Sequence, residues 1–291
     1  MDQPVTPPDS AVGHDREPTE DDLQRVCEDL CKSWDSTFGN VANFEMGRAD
    51  HDLDSGRFMI VYAYAAHAQK LTVSACKHLA DLDHAVAGAL LRVAYESALT
   101  AVWAAESEEA APAIHHALVK NAGNLRDSAR KTGWFDDALD FIPEPNPAPD
   151  GTAPRAQGEA TTFFNLCMSL EPDSHWLYTQ YRLLSAYAHP SGEVIKMFVD
   201  DDAEMPTIRL RPPDAPANVR LALWSSAVFS MVVAGQALDS LDPTARRRDA
   251  LEQAGAVIDW DEPLRLTENA RRAVQEARAA RNAAASEQPS G

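Results

Sequence analysis

Two long helical patterns joined by a very short connector constrain the fold of this chain more than any other feature of its sequence. The patterns cover residues 56–80 and 84–105, both are rich in alanine, and only the turn Asp81–Asp83 lies between them. A connector this short returns the second helix antiparallel to the first and in contact with it. The sequence therefore predicts a closely packed helix pair within an all-α, multi-helix bundle.

The segment before this pair predicts another helix with one buried side. Thr19 is a suitable N-cap, and Asp22, three residues later, completes the pattern of a capping box. The apolar side chains that follow recur at helical spacing: Leu23, Val26, Cys27, Leu30, Cys31, Trp34 and Phe38. This spacing places them on one face of a helix that ends at Gly39.

The rest of the chain predicts further helices and one small strand pair. Helical patterns begin at or near Pro112, Glu159, Ser174, Pro216, Asp242 and Pro263. The segments EVIKMFV and PTIRLR are rich in β-branched residues, and they predict a single β-hairpin insertion at about residues 193–211.

The distribution of proline and charge predicts the domain organisation. We expect one helical domain at 19–283, flanked by a disordered acidic arm at 1–18 and a disordered tail at 284–291. A proline-rich loop at 143–159 interrupts the domain. We interpret it as an insertion within one bundle, because the helical halves on either side would otherwise each have to bury their apolar faces alone.

The net charge of −19 restricts the partners that the chain can bind. An acidic surface repels phosphate backbones, so a nucleic-acid role needs a local basic patch. Three further features favour a cytoplasmic protein without a membrane anchor. The N-terminal residues lack the pattern of a signal peptide, and the four cysteines have the spacing of free thiols. The uncharged stretch 221–238 contains serine, glycine and glutamine, which favours a buried core helix.

A stripe of polar side chains on the helix predicted at Ser174–Ala188 is the main candidate for chemistry. Tyr178, Arg182, Ser185 and His189 fall within about 60° of arc on one helix face. Arginine binds phosphate bidentately, and histidine transfers protons near neutral pH. Alternatively, these groups hydrogen-bond across the bundle and hold the helix in register. The apolar side chains of this helix are expected in the core: Trp176, Leu177, Leu183 and Leu184.

A second polar pair lies on the otherwise apolar helix 84–105. Arg92 and Glu96 are four residues apart, and an ion pair in such surroundings needs partners that offset its desolvation. Two interpretations are open. Either Arg92 and Glu96 pair with each other, or Glu96 reaches Arg182 or His189 and supports a site there.

The stretches YRLLSAYAHPSG and LLRVAYESAL resemble a family of bacterial helical proteins that looks related to the HEPN superfamily of helical-bundle domains. Nuclease members carry Arg-x4–6-His on one helix, and six residues separate Arg182 from His189. The resemblance implies metal-independent RNA cleavage at sites that face each other across a homodimer. Arg182 would hold the scissile phosphate, and His189 would assist proton transfer at the 2′-hydroxyl. The supporting side chains would be Tyr178, Ser185, Glu96 and Arg92.

No pattern in the sequence predicts a metal ion or another cofactor. His78, Asp81 and His84 are three residues apart, but they straddle a predicted turn. Zinc-type spacing and a glycine-rich phosphate loop are both absent from the sequence. Our leading hypothesis is a HEPN-like, metal-independent endoribonuclease or RNA-binding module acting in stress or defence. The alternative is a non-catalytic scaffold or regulatory homodimer. A helical metallo-oxidase, the third class, would need Glu-x-x-His ligands that the sequence lacks.

Overall fold

The computed structural model of the chain describes residues 16–39, 55–132, 154–189, 192, 195, 198–200, 209–210, 216–242 and 244–287. Its helices are α1 (Glu20–Phe38), α2 (Ser55–Ala80), α3 (His84–Glu106), α4 (Ala110–Thr132), α5 (Pro154–Thr161), α6 (Phe163–Met168), α7 (Ser174–Ala188), α8 (Ala217–Asp239), α9 (Arg248–Val257) and α10 (Glu268–Glu287). Its strands are β1 (Leu170–Glu171), β2 (Val199–Asp200), β3 (Arg209–Leu210) and β4 (Arg265–Leu266). The prediction of an all-α bundle with a small hairpin is confirmed.

Helices α2 and α3 form the predicted antiparallel pair. The Arg57 guanidinium, near the start of α2, donates to the carbonyl of Ala104 near the end of α3 at 3.1 Å. One ring nitrogen of His67, further along α2, lies 2.9 Å from the hydroxyl of Ser97, which lies further back on α3. Residues later in α2 therefore contact residues earlier in α3, as in an antiparallel pair.

Helix α8 is a central element of the core. It packs against α1, α2, α3 and α9, and its side chains are buried almost without interruption from Leu223 to Asp239. A helix that is apolar on every side requires such complete burial. By length and composition alone, α3 and α8 could each span a membrane, but 78% of the apolar window of α8 is buried inside the bundle.

Helix α1 begins with the predicted capping box. The Thr19 hydroxyl accepts a hydrogen bond from the backbone N–H of Asp22 at 3.3 Å, and the Asp22 carboxylate accepts one from the backbone N–H of Thr19 at 3.0 Å. Two of the unpaired donors at the helix start are thereby satisfied. Leu23, Cys27 and Leu30 then bury the inner face, as their spacing predicts.

The predicted hairpin is present, but its first strand begins later than the sequence suggests. Strand β2 pairs with β3 in the register Val199 opposite Leu210 and Asp200 opposite Arg209. Gly192, Ile195 and Phe198 have helical backbone instead. The preference of β-branched residues for strands is weak in so short a segment, and the tertiary context overrides it.

A second strand pair joins two segments that are distant in the sequence. Strand β1 pairs antiparallel with β4, Leu170 opposite Leu266, and the N–H of Thr267 donates to the carbonyl of Ser169 at 2.8 Å. Because of this pairing, the last helix begins at Glu268, although the sequence predicts its start at Pro263.

Several predicted boundaries differ in the part of the chain that the structure describes. Helix α5 begins at Pro154, so the end of the predicted loop 143–159 is helical, and residues 143–153 lie outside the described ranges. The extended residue Thr162 separates α5 from α6, where the sequence predicts one helix. Helix α10 continues to Glu287, so residues 284–287 of the predicted tail are helical. Residues 1–15 of the predicted arm and 288–291 also lie outside the described ranges.

Candidate functional site

Helix α7 is held firmly against α3 by its buried side. Leu177 and Leu184, two turns apart, are both fully buried. The Tyr95 hydroxyl on α3 donates to the carbonyl of Leu177 at 3.0 Å. Gly88 allows the two backbones to approach, because a Cβ added there would lie 2.7 Å from the Cβ of Tyr187. The helix that carries the candidate residues is therefore a rigid part of the bundle.

A polar network around Arg92 also connects α3 to α7. The Arg92 guanidinium donates to the Glu96 carboxylate at 3.0 Å and to the Tyr181 hydroxyl at 2.8 Å. It donates as well to the Ser185 hydroxyl at 3.3 Å and lies over the Tyr181 ring, 5.1 Å from its centroid. Of the two interpretations above, the contacts agree with pairing between Arg92 and Glu96. Tyr181 is a member that the sequence analysis missed.

Arg182 and His189 lie on the exposed side of α7. Neither side chain makes a hydrogen bond or an ion pair with any residue that the structure describes. His189 is the C-cap, with φ −113° and ψ 149°, and its backbone N–H donates to the carbonyl of Ser185. The other two members of the stripe, Tyr178 and Ser185, are half-buried.

The angular position of each residue around α7 explains this division. Measured from the direction of the buried leucines at about 100° per residue, Ser185 and Tyr178 lie near the edge of the core. His189 and Arg182 lie further round, at about 130° and about 150°. The stripe therefore straddles the boundary between the core and the solvent.

Two apolar side chains of α7 are not in the core, contrary to expectation. Trp176 is 44% exposed and Leu183 is 41% exposed, whereas Leu177 and Leu184 are buried as expected. The core covers only one side of α7, and Trp176 and Leu183 lie towards its margins. Unlike Trp176 and Leu183, Tyr178 is half-buried, and its ring stacks on that of Tyr181 with 5.8 Å between the ring centroids.

The described residues do not form a metal centre. His78 lies 3.5 Å from Asp83, while His84 is buried. Within the described ranges, no group of three His, Cys, Asp or Glu side chains is arranged to hold a metal ion.

The cysteines are free thiols in the structure. Burial raises the pKa of Cys31 to about 11 and that of Cys167 to about 12. A thiol becomes nucleophilic only as the thiolate, so these two groups are chemically inert near neutral pH.

The arginines of α10 pair with carboxylates of the same chain. Arg278 lies 3.0 Å from Glu108, Arg281 pairs with Glu109, and Arg271 lies 2.9 Å from Glu268. The positive charge of each of these three arginines is therefore balanced by a carboxylate, whereas that of Arg182 is not balanced by a described residue.

Arg182 and His189 line none of three cavities found at the described surface, whose volumes are about 280, 410 and 530 Å³.

Comparisons with protein-family models, curated proteins and solved structures find no match. Functional inference therefore depends on the site itself.

Proposed function

We propose that this chain is a HEPN-like protein that binds RNA at the exposed side of α7 and cleaves it without a metal ion. The observation that carries the proposal is that one rigid helix carries both a free guanidinium and a free imidazole on its exposed side. Arg182 and His189 are both exposed and have no partner among the described residues. Neither side chain therefore has a structural task in the described part of the chain.

The two side chains supply the groups that the reaction requires. The guanidinium of Arg182 binds the scissile phosphate through two parallel hydrogen bonds and stabilises its developing charge. The imidazole of His189 accepts the proton of the ribose 2′-hydroxyl as that oxygen attacks the phosphorus. The bond from phosphorus to the 5′-oxygen breaks, and this oxygen takes a proton from water. The products are a 2′,3′-cyclic phosphate and a 5′-hydroxyl end.

A homodimer is part of the proposal, because one arginine is a weak attraction for RNA on a chain of net charge −19. Two protomers that face each other through α7 bring two copies of Arg182 together. A local basic patch of this kind offsets the repulsion between the acidic surface and the phosphate backbone.

The test is incubation of purified protein with total RNA in excess chelator. We expect cleavage by the unaltered protein and its loss in both Arg182→Ala and His189→Ala. Because both side chains are exposed, each substitution changes the free energy of unfolding by no more than about 0.5 kcal/mol. Cleavage that chelation abolishes would contradict the proposal.

Two matched variants control for the loss of an exposed cation or imidazole elsewhere. His175→Ala removes an exposed histidine from α7, about 21 Å along the helix from His189. Arg130→Ala removes an arginine from α4 that is 65% exposed. Both should keep full activity. Cleavage that persists equally in all four variants would point to a contaminating nuclease, and cleavage lost equally in all four would contradict a specific role of Arg182 and His189.

The second candidate is a non-catalytic scaffold or regulatory homodimer. It is favoured by the way in which Arg92, Glu96, Tyr181 and Ser185 satisfy one another. Of these four residues, Glu96 alone lines one of the three cavities. This candidate predicts a dimer in sedimentation analysis, no RNA cleavage, and no effect of Arg182→Ala on any property except the surface charge.

A further inference from the structure

A cavity of about 280 Å³ lies beside three aromatic rings that come from different parts of the chain. Trp176 belongs to α7, Phe229 to α8, and Trp260 follows α9. Ring centroids are 5.3 Å apart for Trp176 and Phe229, 4.9 Å for Phe229 and Trp260, and 5.9 Å for Trp176 and Trp260. The rings thus form one continuous aromatic wall.

The backbone holds this wall in place. The N–H of Trp260 donates to the carbonyl of Gly255 at 2.9 Å. A Cβ added to Gly255 would lie 2.4 Å from the carbonyl oxygen of Trp260, so only glycine allows this approach. Phe229 is 3% exposed and anchors the wall in the core, while Trp176 remains 44% exposed beside the opening.

Two carboxylates at the cavity are acceptors without a donor among the described residues. Asp173 and Asp259 both line it, and neither carboxylate has a hydrogen bond or an ion pair with a described residue. The Gln180 amide donates to the Ser226 hydroxyl at 2.6 Å, which in turn donates to the carbonyl of Ala222. The Ser225 hydroxyl and the buried indole N–H of Trp260, which has no hydrogen-bond partner among the described residues, are donors that remain unused.

No cation balances these two carboxylates at the cavity. Among the described residues that line it, none is lysine, arginine or histidine. The chain as a whole carries a net charge of −19, which raises the local concentration of cations and repels anions.

We propose that this aromatic cavity binds a small organic cation with an alkylated ammonium group. The electron-rich faces of tryptophan attract such a cation, and alkylated ammonium ions are the usual ligands of aromatic walls. The two carboxylates complete the complementarity in charge. A bare metal ion would instead need a shell of oxygen ligands, which the rings do not supply. The volume suits a ligand with few heavy atoms, since it lies just below the usual range for small-molecule sites. The proposal does not depend on RNA cleavage, because Arg182 and His189 do not line this cavity.

The binding test uses tetramethylammonium and choline at constant ionic strength. Titration is followed by tryptophan fluorescence, which reports on Trp176 and Trp260, and by calorimetry. We expect saturable binding of both cations. The neutral alcohol in which carbon replaces the nitrogen of choline has the same shape, and it should bind at least about tenfold more weakly.

The variants separate the charge from the rings. Asp173 and Asp259 have φ of 61° and 54°, a left-handed conformation that asparagine adopts as readily as aspartate. The double variant Asp173→Asn with Asp259→Asn therefore changes the charge and little else. It should weaken cation binding at least about tenfold. Trp176→Leu should weaken it to a similar extent, whereas Trp176→Phe should retain part of it.

Asp261→Asn is the matched control, because it removes an exposed carboxylate near Trp260 that does not line the cavity. We expect an unchanged affinity. The proposal is overturned if the neutral alcohol or a neutral nucleoside binds as tightly as choline. Absence of saturable binding tighter than about 10 mM, or equal weakening by Asp261→Asn, would overturn it as well.

Discussion

Arg247 is the residue whose burial is hardest to reconcile with its charge. It is 1% exposed, and desolvation by burial lowers the pKa of its guanidinium. Its Nε donates to the Ser33 hydroxyl at 3.4 Å, and its guanidinium lies 5.1 Å from the centroid of Trp34. The two terminal nitrogens have no hydrogen-bond partner among the described residues. Asp239, whose pKa burial raises, is the neighbouring countercharge and accepts the backbone N–H of Arg247 at 3.2 Å.

This arrangement predicts a strong coupling between Asp239 and Arg247. Asp239→Asn leaves a buried guanidinium without its countercharge and should lower the free energy of unfolding by about 3 kcal/mol. Adding Arg247→Met to this variant removes the uncompensated buried charge and should restore most of the lost free energy of unfolding. Urea denaturation of the two single variants and the double variant measures the coupling. Strictly additive effects would show that the two charges do not interact.

At the scale of single elements, α1 and α7 illustrate two ways of positioning a helix. The capping box of α1 is local, because Thr19 and Asp22 satisfy each other's backbone. Helix α7 depends on non-local partners, above all the contacts of Arg92 and Tyr95 on α3. Losing the cap should therefore loosen one helix end, whereas losing the Arg92 network should separate two helices.

The capping box predicts a dependence of stability on pH. The hydrogen bond from the Thr19 side chain is the main cause that lowers the pKa of Asp22 from 3.8 to about 2. Because the folded pKa lies below the ordinary value, the stabilisation is complete above pH 3.8 and is lost as the pH falls through about 2. Thr19→Ala should destabilise the protein by about 1 kcal/mol near neutral pH.

Urea denaturation of Thr19→Ala and the unaltered protein across this pH range provides the measurement. The difference between the two should be constant near neutral pH and should narrow as Asp22 takes up its proton. Ser36→Ala is a suitable control, because its exposed hydroxyl bonds only to the carbonyl of Ser33 in the same helix. A difference that stays constant down to the lowest pH would contradict the role of Asp22.

For the whole molecule, the dominant electrostatic quantity is the excess of 45 acidic over 26 basic residues. Surface ion pairs such as that between Arg278 and Glu108 contribute at most about 1 kcal/mol each. The repulsion among the unpaired carboxylates acts over the entire surface and opposes compaction. We therefore expect net repulsion to outweigh the ion pairs.

Added salt should then stabilise the protein. Raising sodium chloride from about 10 mM to about 500 mM shortens the screening length from about 30 Å to about 4 Å and removes most of the repulsion. The Tm measured by calorimetry should rise over this range. An equal concentration of a neutral osmolyte is not expected to reproduce the early part of the rise. A Tm that falls with salt would show that the ion pairs matter more than the net charge.

Local signals predicted the helices well. Thr19, Asp22 and Gly39 define α1, and the short Asp81–Asp83 turn defines the pair of α2 and α3, since caps and turns involve residues close together in the chain. The pairing of β1 with β4 was not predicted, because it joins residues far apart in the chain and the sequence of a short strand does not indicate which strand it pairs with.

In the candidate site, too, the local features were predictable from the sequence and the long-range contacts were not. The spacing of Arg182 and His189 on one helix and the proximity of Arg92 to Glu96 follow from the period of the α-helix alone. Which side of α7 faces the core depends on how α3 and α8 pack against it, and that direction decides which polar groups are half-buried and which are exposed. The aromatic wall of Trp176, Phe229 and Trp260 likewise exists only after three separate elements have come together. The sequence alone determined the helices and their spacing, because these depend on near neighbours. Tertiary packing alone decided burial and the contacts between helices, because each depends on residues that the chain brings from a distance.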